Sequence, residues 1–198
     1  MLLMKGSMTN APVMSIQTGR SLGAVSDAII DPRKLEIVAW YIKGSTLDHQ
    51  PAVVMSQDFR ELGSLGAIVD SADKIISPSD VVRLQKILDH GFKFEGIKVF
   101  DDDGNKLGRV ETYAFDPEGF DIEQIYIRPK LLSRLSLSYL IVGRKQIVEL
   151  NNQKMIVKSP KTAAPVVEKA PEAAEPPAKF ENPFRGEAPK PVPETKRV

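Results

Sequence analysis

The chain has 198 residues, enough for one ordinary domain or two small ones, and its 42% hydrophobic content is compatible with a packed core. The formal net charge is only +1, so no global field draws the protein towards nucleic acid or anionic lipid. The absence of cysteine excludes disulfides, thiolate metal sites and cysteine nucleophiles, and it is compatible with a reducing cytoplasm.

The N-terminal segment, residues 1–14, reads MLLMKGSMTNAPVM. Its apolar part is too short for a secretory signal, and it lacks the basic start that such signals carry. No apolar run elsewhere reaches the roughly eighteen residues that a membrane span needs, which predicts no integral membrane segment. We therefore expect residues 1–14 to form a flexible leader.

One stretch of the sequence occurs twice, first as LGAVSDAIIDPRKLEIVAWYIKG from Leu22 and again as LGRVETYAFDPEGFDIEQIYIRPK from Leu107. The two align without a gap, and the matches include Leu-Gly, Asp-Pro and Tyr-Ile pairs. Asp-Pro between two apolar runs predicts a hairpin turn, because proline presets φ and the aspartate can accept from backbone amides beyond it. The chain therefore uses one structural unit twice, and Trp40 is predicted to lie on the buried face of its strand.

Further strand-like runs follow each hairpin. They are AVVM, AIVD and KII in the first copy, and SYLIV, QIVEL and KMIV in the second, which we align in that order. Several short strands at close spacing indicate a small closed or nearly closed β-barrel. The predicted barrels cover residues 15–76 and 92–158.

A helix is predicted between the copies, over residues 77–91. Ser77 is a plausible N-cap, Pro78 suits the first helical position, and Asp80 completes a capping box. Apolar residues at Val81, Leu84 and Leu88 form a stripe with Ile87 beside it, and Gly91 can end the helix in a left-handed conformation. We expect the two barrels to pack around this helix.

The C-terminal segment, residues 159–198, is rich in proline, alanine, glutamate and lysine. Nine of the fifteen prolines of the chain lie in it. Proline removes backbone donors, and the few apolar residues cannot bury enough surface to offset the entropy of ordering. The predicted fold class is mostly β, with two small antiparallel β-barrels joined by a short α-helix and a disordered C-terminal tail.

The Leu-Gly-x-Val pattern, the hairpin with its apolar strand, and the second hairpin near Leu62 to Val69 together resemble the PRC-barrel domain. The intervening helix and the restart GFKFEGIKVFDDDGNKLGRV resemble tandem PRC-barrel proteins, so the resemblance extends over roughly residues 15–158. The family includes the cytoplasmic domain of the photosynthetic reaction-centre H subunit and the C-terminal domain of RimM. Its known roles are in binding, so the resemblance implies an adaptor for protein partners, with no catalytic residue and no cofactor.

No catalytic or metal site is predicted from the residues themselves. His49 lies in a polar loop and His90 ends the predicted helix, and neither has a carboxylate at dyad or ligand spacing. The run Asp101 to Asn105 resembles a calcium loop, but Lys106 stands where an EF-hand needs glycine and Thr112 where it needs glutamate. An acidic hairpin turn is the better interpretation of that run.

Two groups of residues are candidates for partner binding. A basic group in the second copy, Arg128, Lys130 and Arg134, could contact phosphate or an acidic protein surface. In the tail, Phe180 and Phe184 flank an Asn182-Pro183 turn that could present both rings to a groove. We predict a cytoplasmic, non-enzymatic adaptor; the alternative is a ribosome-assembly or RNA-associated factor by analogy with RimM, and homo-oligomerisation stays open.

Overall fold

The protein is described by a computed structural model that covers residues 1–45, 47, 50–63, 65–129 and 139–158. These residues are mostly β, as the sequence predicts, and they form two sheets and two α-helices. The tail, residues 159–198, lies outside the described residues, so its disorder stays a prediction from the sequence.

The first sheet contains six strands. They are β2 (Pro12–Ser15), β3 (Ser21–Asp31), β4 (Glu36–Lys43), β5 (Ala52–Met55), β6 (Phe59–Gly63) and β7 (Gly66–Val69). Their order across the sheet is β5-β4-β3-β2-β7-β6. Neighbours pair antiparallel except β2 and β7, which are parallel.

The second sheet contains β8 (Lys98–Asp101), β9 (Lys106–Phe115), β10 (Ile122–Pro129), β11 (Leu140–Gly143), β12 (Ile147–Leu150) and β13 (Lys154–Val157). It repeats the order of the first sheet as β11-β10-β9-β8-β13-β12, again with one parallel pair, β8 with β13. A short additional strand, β1 (Leu3–Met4), pairs with β9.

The two long hairpins, β3–β4 and β9–β10, share one register. Val25 pairs with Ile42 in the first copy, and the aligned Val110 pairs with Ile127 in the second. Both hairpins also carry two bulges at aligned positions. The prediction that the repeated stretch forms the same antiparallel hairpin twice is therefore confirmed.

The Leu-Gly pair that opens each repeat has a steric reason. A Cβ on Gly23 would lie 2.6 Å from the carbonyl oxygen of Lys43, and one on Gly108 would lie still closer to that of Arg128. Both glycines thus sit where the partner strand approaches too closely for a side chain.

The alignment proposed for the later strands is right for the first pair of runs and wrong for the other two. AVVM and SYLIV are equivalent, because Ala52 pairs with Ile42 and Leu140 with the aligned Ile127. Ala67 pairs with Val13 in the parallel pair of the first copy, and Met155 pairs with Val99 in that of the second. KMIV is therefore equivalent to GAIV, and QIVEL to the strand FRELG. The run KII contributes only an isolated bridge, between Ile76 and Val53.

Among the residues that the structure describes, neither sheet closes on itself through strand pairing. The path of hydrogen-bonded neighbours ends at β5 and β6 in the first copy and at β11 and β12 in the second. One of the sheets curls into a half-barrel. Each sheet therefore keeps two outer strands among the described residues.

The N-terminal segment is folded, which differs from the flexible leader expected for residues 1–14. After β1, the helix α1 (Lys5–Met8) leads into β2, so the expected boundary at residue 14 falls inside a strand. The side chain of Met8 is fully buried, and the N–H of Asn10 donates to the carbonyl of Val25. The segment thus contacts the second sheet through β1 and enters the first sheet through β2.

Helix α2 (Val82–Asp89) follows a 3-10 turn over Pro78–Asp80. Ser77 and Asp80 form the predicted capping box, but it caps this turn rather than the α-helix. Gly91 has the predicted left-handed conformation, with φ of 58°. Buried Leu84 and Ile87 pack on the outer face of the first sheet, so the two copies do not pack around the helix as expected.

Candidate functional site

The two copies contact each other through their hairpin turns. Leu35 and Phe120 occupy aligned positions, and both have left-handed backbone, with φ of 52° and 59°. The N–H of Ile37 donates to the carbonyl of Phe120 (2.9 Å), and the N–H of Ile122 donates to that of Leu35 (3.0 Å). Reciprocal bonds between equivalent residues are the pattern of an isologous contact, here formed within one chain.

Side chains complete this contact between the copies. Trp40 is 1% exposed, and its ring centroid lies 5.4 Å from that of Phe115 in the other copy. The guanidinium of Arg144 donates to Asp121 Oδ1 (2.6 Å) and to the carbonyl of Lys34. A single cluster of buried residues includes side chains of both sheets, so the copies share a core.

The turn aspartates act as the sequence predicts. Asp31 Oδ1 accepts from the N–H of Arg33 (3.0 Å), and Asp116 Oδ2 accepts from the N–H of Gly119 (2.9 Å). Each bond holds the backbone in the turn that brings its copy to the other.

Of the predicted basic group, the structure describes only Arg128. Its guanidinium donates to Glu111 Oε1 and lies 5.9 Å from the ring centroid of Tyr139. The hydrogen bond that Arg128 donates to the Tyr139 hydroxyl, together with the nearby Glu111 carboxylate, raises the pKa of Arg128. Arg128 therefore already has a counter-charge in Glu111. Lys130 and Arg134 lie outside the described residues.

The predicted tail motif also lies outside the described residues. It comprises Phe180, Asn182, Pro183 and Phe184. Its role in partner binding stays a prediction from the sequence.

An aromatic cavity of about 290 Å³ opens between the copies, and it is lined by Phe92, Phe94 and Tyr113. At its polar side, Lys5 Nζ lies 2.9 Å from Glu95 Oε1 and 3.3 Å from Asp27 Oδ1. Burial lowers the pKa of Lys5, but these two carboxylates outweigh it and the pKa is raised. Lys5 thus already pairs with the two carboxylates that line this cavity.

A second cavity, of about 270 Å³, lies between helix α2, the first sheet and the turn of the second hairpin. Val38, Leu84 and Phe120 supply its apolar lining, while Glu36 and Arg83 stand among its charged residues. Its lining combines charges of both signs, so it selects no single class of ligand.

A third cavity, the first-copy groove, lies on the outer face of the first sheet. Its volume is about 410 Å³, and its lining includes Met14, Glu61, Leu65, Gly66 and Ile68. Leu65 is 80% exposed. The groove runs beside β6, whose outer edge is unpaired in the described sheet. No local signal in the sequence marks this groove, although aligning GAIV with KMIV shows that its positions recur in the second copy.

The remaining chemical candidates have structural roles. His90 is the C-cap of α2, and its Nε2 lies 3.0 Å from Arg33 Nη2. Asp101 accepts from the backbone and side-chain amides of Asn105, which confirms the acidic turn. His49 lies outside the described residues.

Within the described ranges, no group of three or more histidine, aspartate or glutamate side chains could hold a metal ion. The helices of this part of the chain are too short or too polar to cross a bilayer.

No protein-family model matches the chain, and no curated protein matches it.

Proposed function

We propose that this chain is a non-enzymatic cytoplasmic adaptor that binds protein partners through two PRC-like β units and its C-terminal tail. One observation carries the proposal: the same six-stranded topology occurs twice, and the hairpin turns fix the two copies against each other. Such an arrangement presents two related surfaces in a fixed orientation. A tail that follows the second copy can then hold a partner at raised effective concentration.

Protein partners fit the described surface better than RNA does. An RNA-binding surface needs cations that are available to phosphate groups. Arg128 forms an ion pair with Glu111. The guanidinium of Arg144 donates to Asp121 and to the carbonyl of Lys34. Two of the basic side chains of this region are thus engaged within the protein.

The proposed anchor in the tail is tested by affinity capture from the native cell with the full chain as bait. The test variant is Phe180→Ala/Phe184→Ala, and the matched control is Val166→Ala/Val167→Ala, which removes apolar side chains elsewhere in the tail. We expect one set of proteins to be retained by the wild type and by the control and to be lost by the test variant. With a purified partner, loss of both rings should weaken binding by at least about tenfold.

The RNA-associated alternative is distinguished by salt. Binding to a single-stranded RNA of mixed sequence should weaken steeply with ionic strength, whereas an apolar protein interface should change little. Salt-sensitive RNA binding by the wild type, with equal protein capture by all three baits, would contradict the adaptor proposal.

A further inference from the structure

The first-copy groove has an equivalent surface in the second copy. The two parallel pairs place Met14 beside Ile68, and Phe100 beside Ile156. The outer strands then place a glutamate next to each isoleucine, Glu61 in the first copy and Glu149 in the second. Both outer faces thus carry the same row of a half-buried apolar pair followed by an edge carboxylate.

The second copy contains two groups that the first copy lacks. Where the first copy has Met14, the second has the aromatic ring of Phe100. Where the first copy has Gly66, the second has Lys154, whose Nζ lies 3.4 Å from Glu149 Oε2. The second copy therefore supplies its own aromatic ring and its own cation to this face.

The groups that the second copy has and the first lacks indicate what the first-copy groove can accept. Within the described residues, Glu61 forms no ion pair. The volume of about 410 Å³ can take an aromatic ring, because cavities of about 150 Å³ already hold benzene. The unpaired edge of β6 offers backbone groups to an extended segment. The fitting ligand is an extended peptide with an aromatic residue next to a lysine or arginine.

We propose that the groove binds the segment Lys179–Arg185 of this chain's own tail. That segment contains two such neighbours, Lys179-Phe180 and Phe184-Arg185. One phenylalanine ring packs on Met14 and Ile68, and the adjacent basic side chain pairs with Glu61. The tail thereby supplies to the first copy the two groups that the second copy already has.

The reach of the tail depends on where it leaves the second sheet and on how many residues precede Lys179. The N–H of Lys158 donates to the carbonyl of Gln146, so the chain leaves the second sheet beside β12. Residues 159–178 then separate this point from Lys179. A flexible chain of that length spans roughly 25 Å on average, and a proline-rich one extends further. A tethered segment also binds at an effective concentration near millimolar, which allows a weak contact to persist.

Docking of the tail has a consequence that rests on the proposed function. The same two phenylalanines are the proposed anchor for an external partner, so the groove and the partner compete for them. Docking itself is a property of the purified chain, and its failure would leave the adaptor function untouched.

The experiment records the methyl NMR signals of Ile68 and Ile156 in the full chain. Phe180→Ala/Phe184→Ala should shift the Ile68 methyl signal and leave that of Ile156 unchanged, because only the first-copy groove loses its ligand. Hydrogen exchange of β6 amides should become several-fold faster in the same variant. A synthetic peptide of residues 179–185, added to the variant, should restore the Ile68 signal.

A charge exchange tests the pairing with Glu61. Glu61→Lys should move the Ile68 signal as the ring substitutions do. Adding Lys179→Glu/Arg185→Glu to that variant should reverse the change. Glu149→Lys, at the equivalent position of the second copy, is the control. The proposal is overturned if the ring substitutions leave the Ile68 signal unchanged. It is also overturned if the effect depends on protein concentration, because the tail of a second copy would then be the ligand.

Discussion

Trp40 shows how one side chain joins the two copies. Its ring projects from β4 of the first sheet and packs on Phe115 of the second. Trp40 is 1% exposed. Its indole Nε1 is the only buried side-chain nitrogen or oxygen without a hydrogen-bond partner within the described residues. An unpaired buried donor costs free energy. Packing of the ring therefore outweighs a polar penalty at this position.

The first prediction follows from that balance. Trp40→Ala should lower the free energy of unfolding by about 3–5 kcal/mol, because it deletes a large aromatic side chain from a shared core. Trp40→Phe is the matched variant, since it keeps an aromatic ring and removes the unpaired donor, and it should cost less than half as much. Denaturant melts followed by circular dichroism measure both. A loss below about 1 kcal/mol for Trp40→Ala would show that Trp40 is not a core anchor.

Tyr113 links stability to alkaline pH. It is 1% exposed and packs on Phe94, with ring centroids 5.6 Å apart. Burial, and then the charges of Glu95 and Asp27, raises the pKa of Tyr113 well above its usual value. A raised pKa in the folded state means that the neutral phenol is favoured there. Its contribution to stability is therefore complete below the unfolded pKa of about 10 and is lost as pH rises further.

The second prediction concerns Tyr113→Phe. Above about pH 10 the folded state holds a phenolic proton that the unfolded state releases, so stability falls by up to about 1.4 kcal/mol per pH unit for this group. The variant lacks this proton and should lose stability less steeply between about pH 10 and 11.5. Urea melts across that range measure the slope for wild type and variant. Parallel slopes would show that Tyr113 titrates normally.

At the scale of the strand pair, the glycines of the Leu-Gly motif set the approach of β3 to β4 and of β9 to β10. A side chain at Gly108 would collide more severely with the partner strand than one at Gly23, while Gly6 has open space around it. The collision partners are backbone oxygens, which cannot rotate away as a side chain could.

The third prediction is a graded series. Gly108→Ala should destabilise most, Gly23→Ala by about 1–3 kcal/mol, and the control Gly6→Ala by less than about 0.5 kcal/mol. Thermal and denaturant melts of the three variants test the order. Equal stabilities for the Gly23 and Gly6 variants would show that the strands can separate without cost.

The strand elements also show how far the sequence can predict this fold. The hairpins were predictable because Leu-Gly, Asp-Pro and the apolar alternation are local signals that recur without a gap. The equivalence of β7 and β13 was not, because β6 (FRELG) carries Arg60 and Glu61 side by side and lacks an apolar alternation, so the sequence pattern matches AIVD with QIVEL in its place. The first-copy groove depends on that equivalence. The N-terminal strand was missed for another reason, since its partner β9 lies far away in the sequence.

On the scale of the whole molecule, the two copies form one structural unit. They share one cluster of buried residues and exchange backbone hydrogen bonds at the turns. The N-terminal segment adds a covalent crossing, because β1 pairs in the second sheet and β2 in the first. Unfolding one copy alone would expose the apolar surface of the other.

The fourth prediction is a single unfolding transition. Trp40 fluorescence reports on the contact between the copies, and far-ultraviolet circular dichroism reports on all strands. Their midpoints in urea should coincide, because neither sheet keeps a complete core without the other. Two separated transitions would show that the copies are independent domains joined only by the chain.

The reciprocal turn contact also has a genetic consequence. In a dimer of identical subunits, any codon change alters both sides of the symmetry axis at once. Here each side is encoded separately, so a mutation at Met14 leaves Phe100 as it was. One copy can therefore acquire a binding specificity while the other keeps its original packing. Both copies retain the same order of six strands.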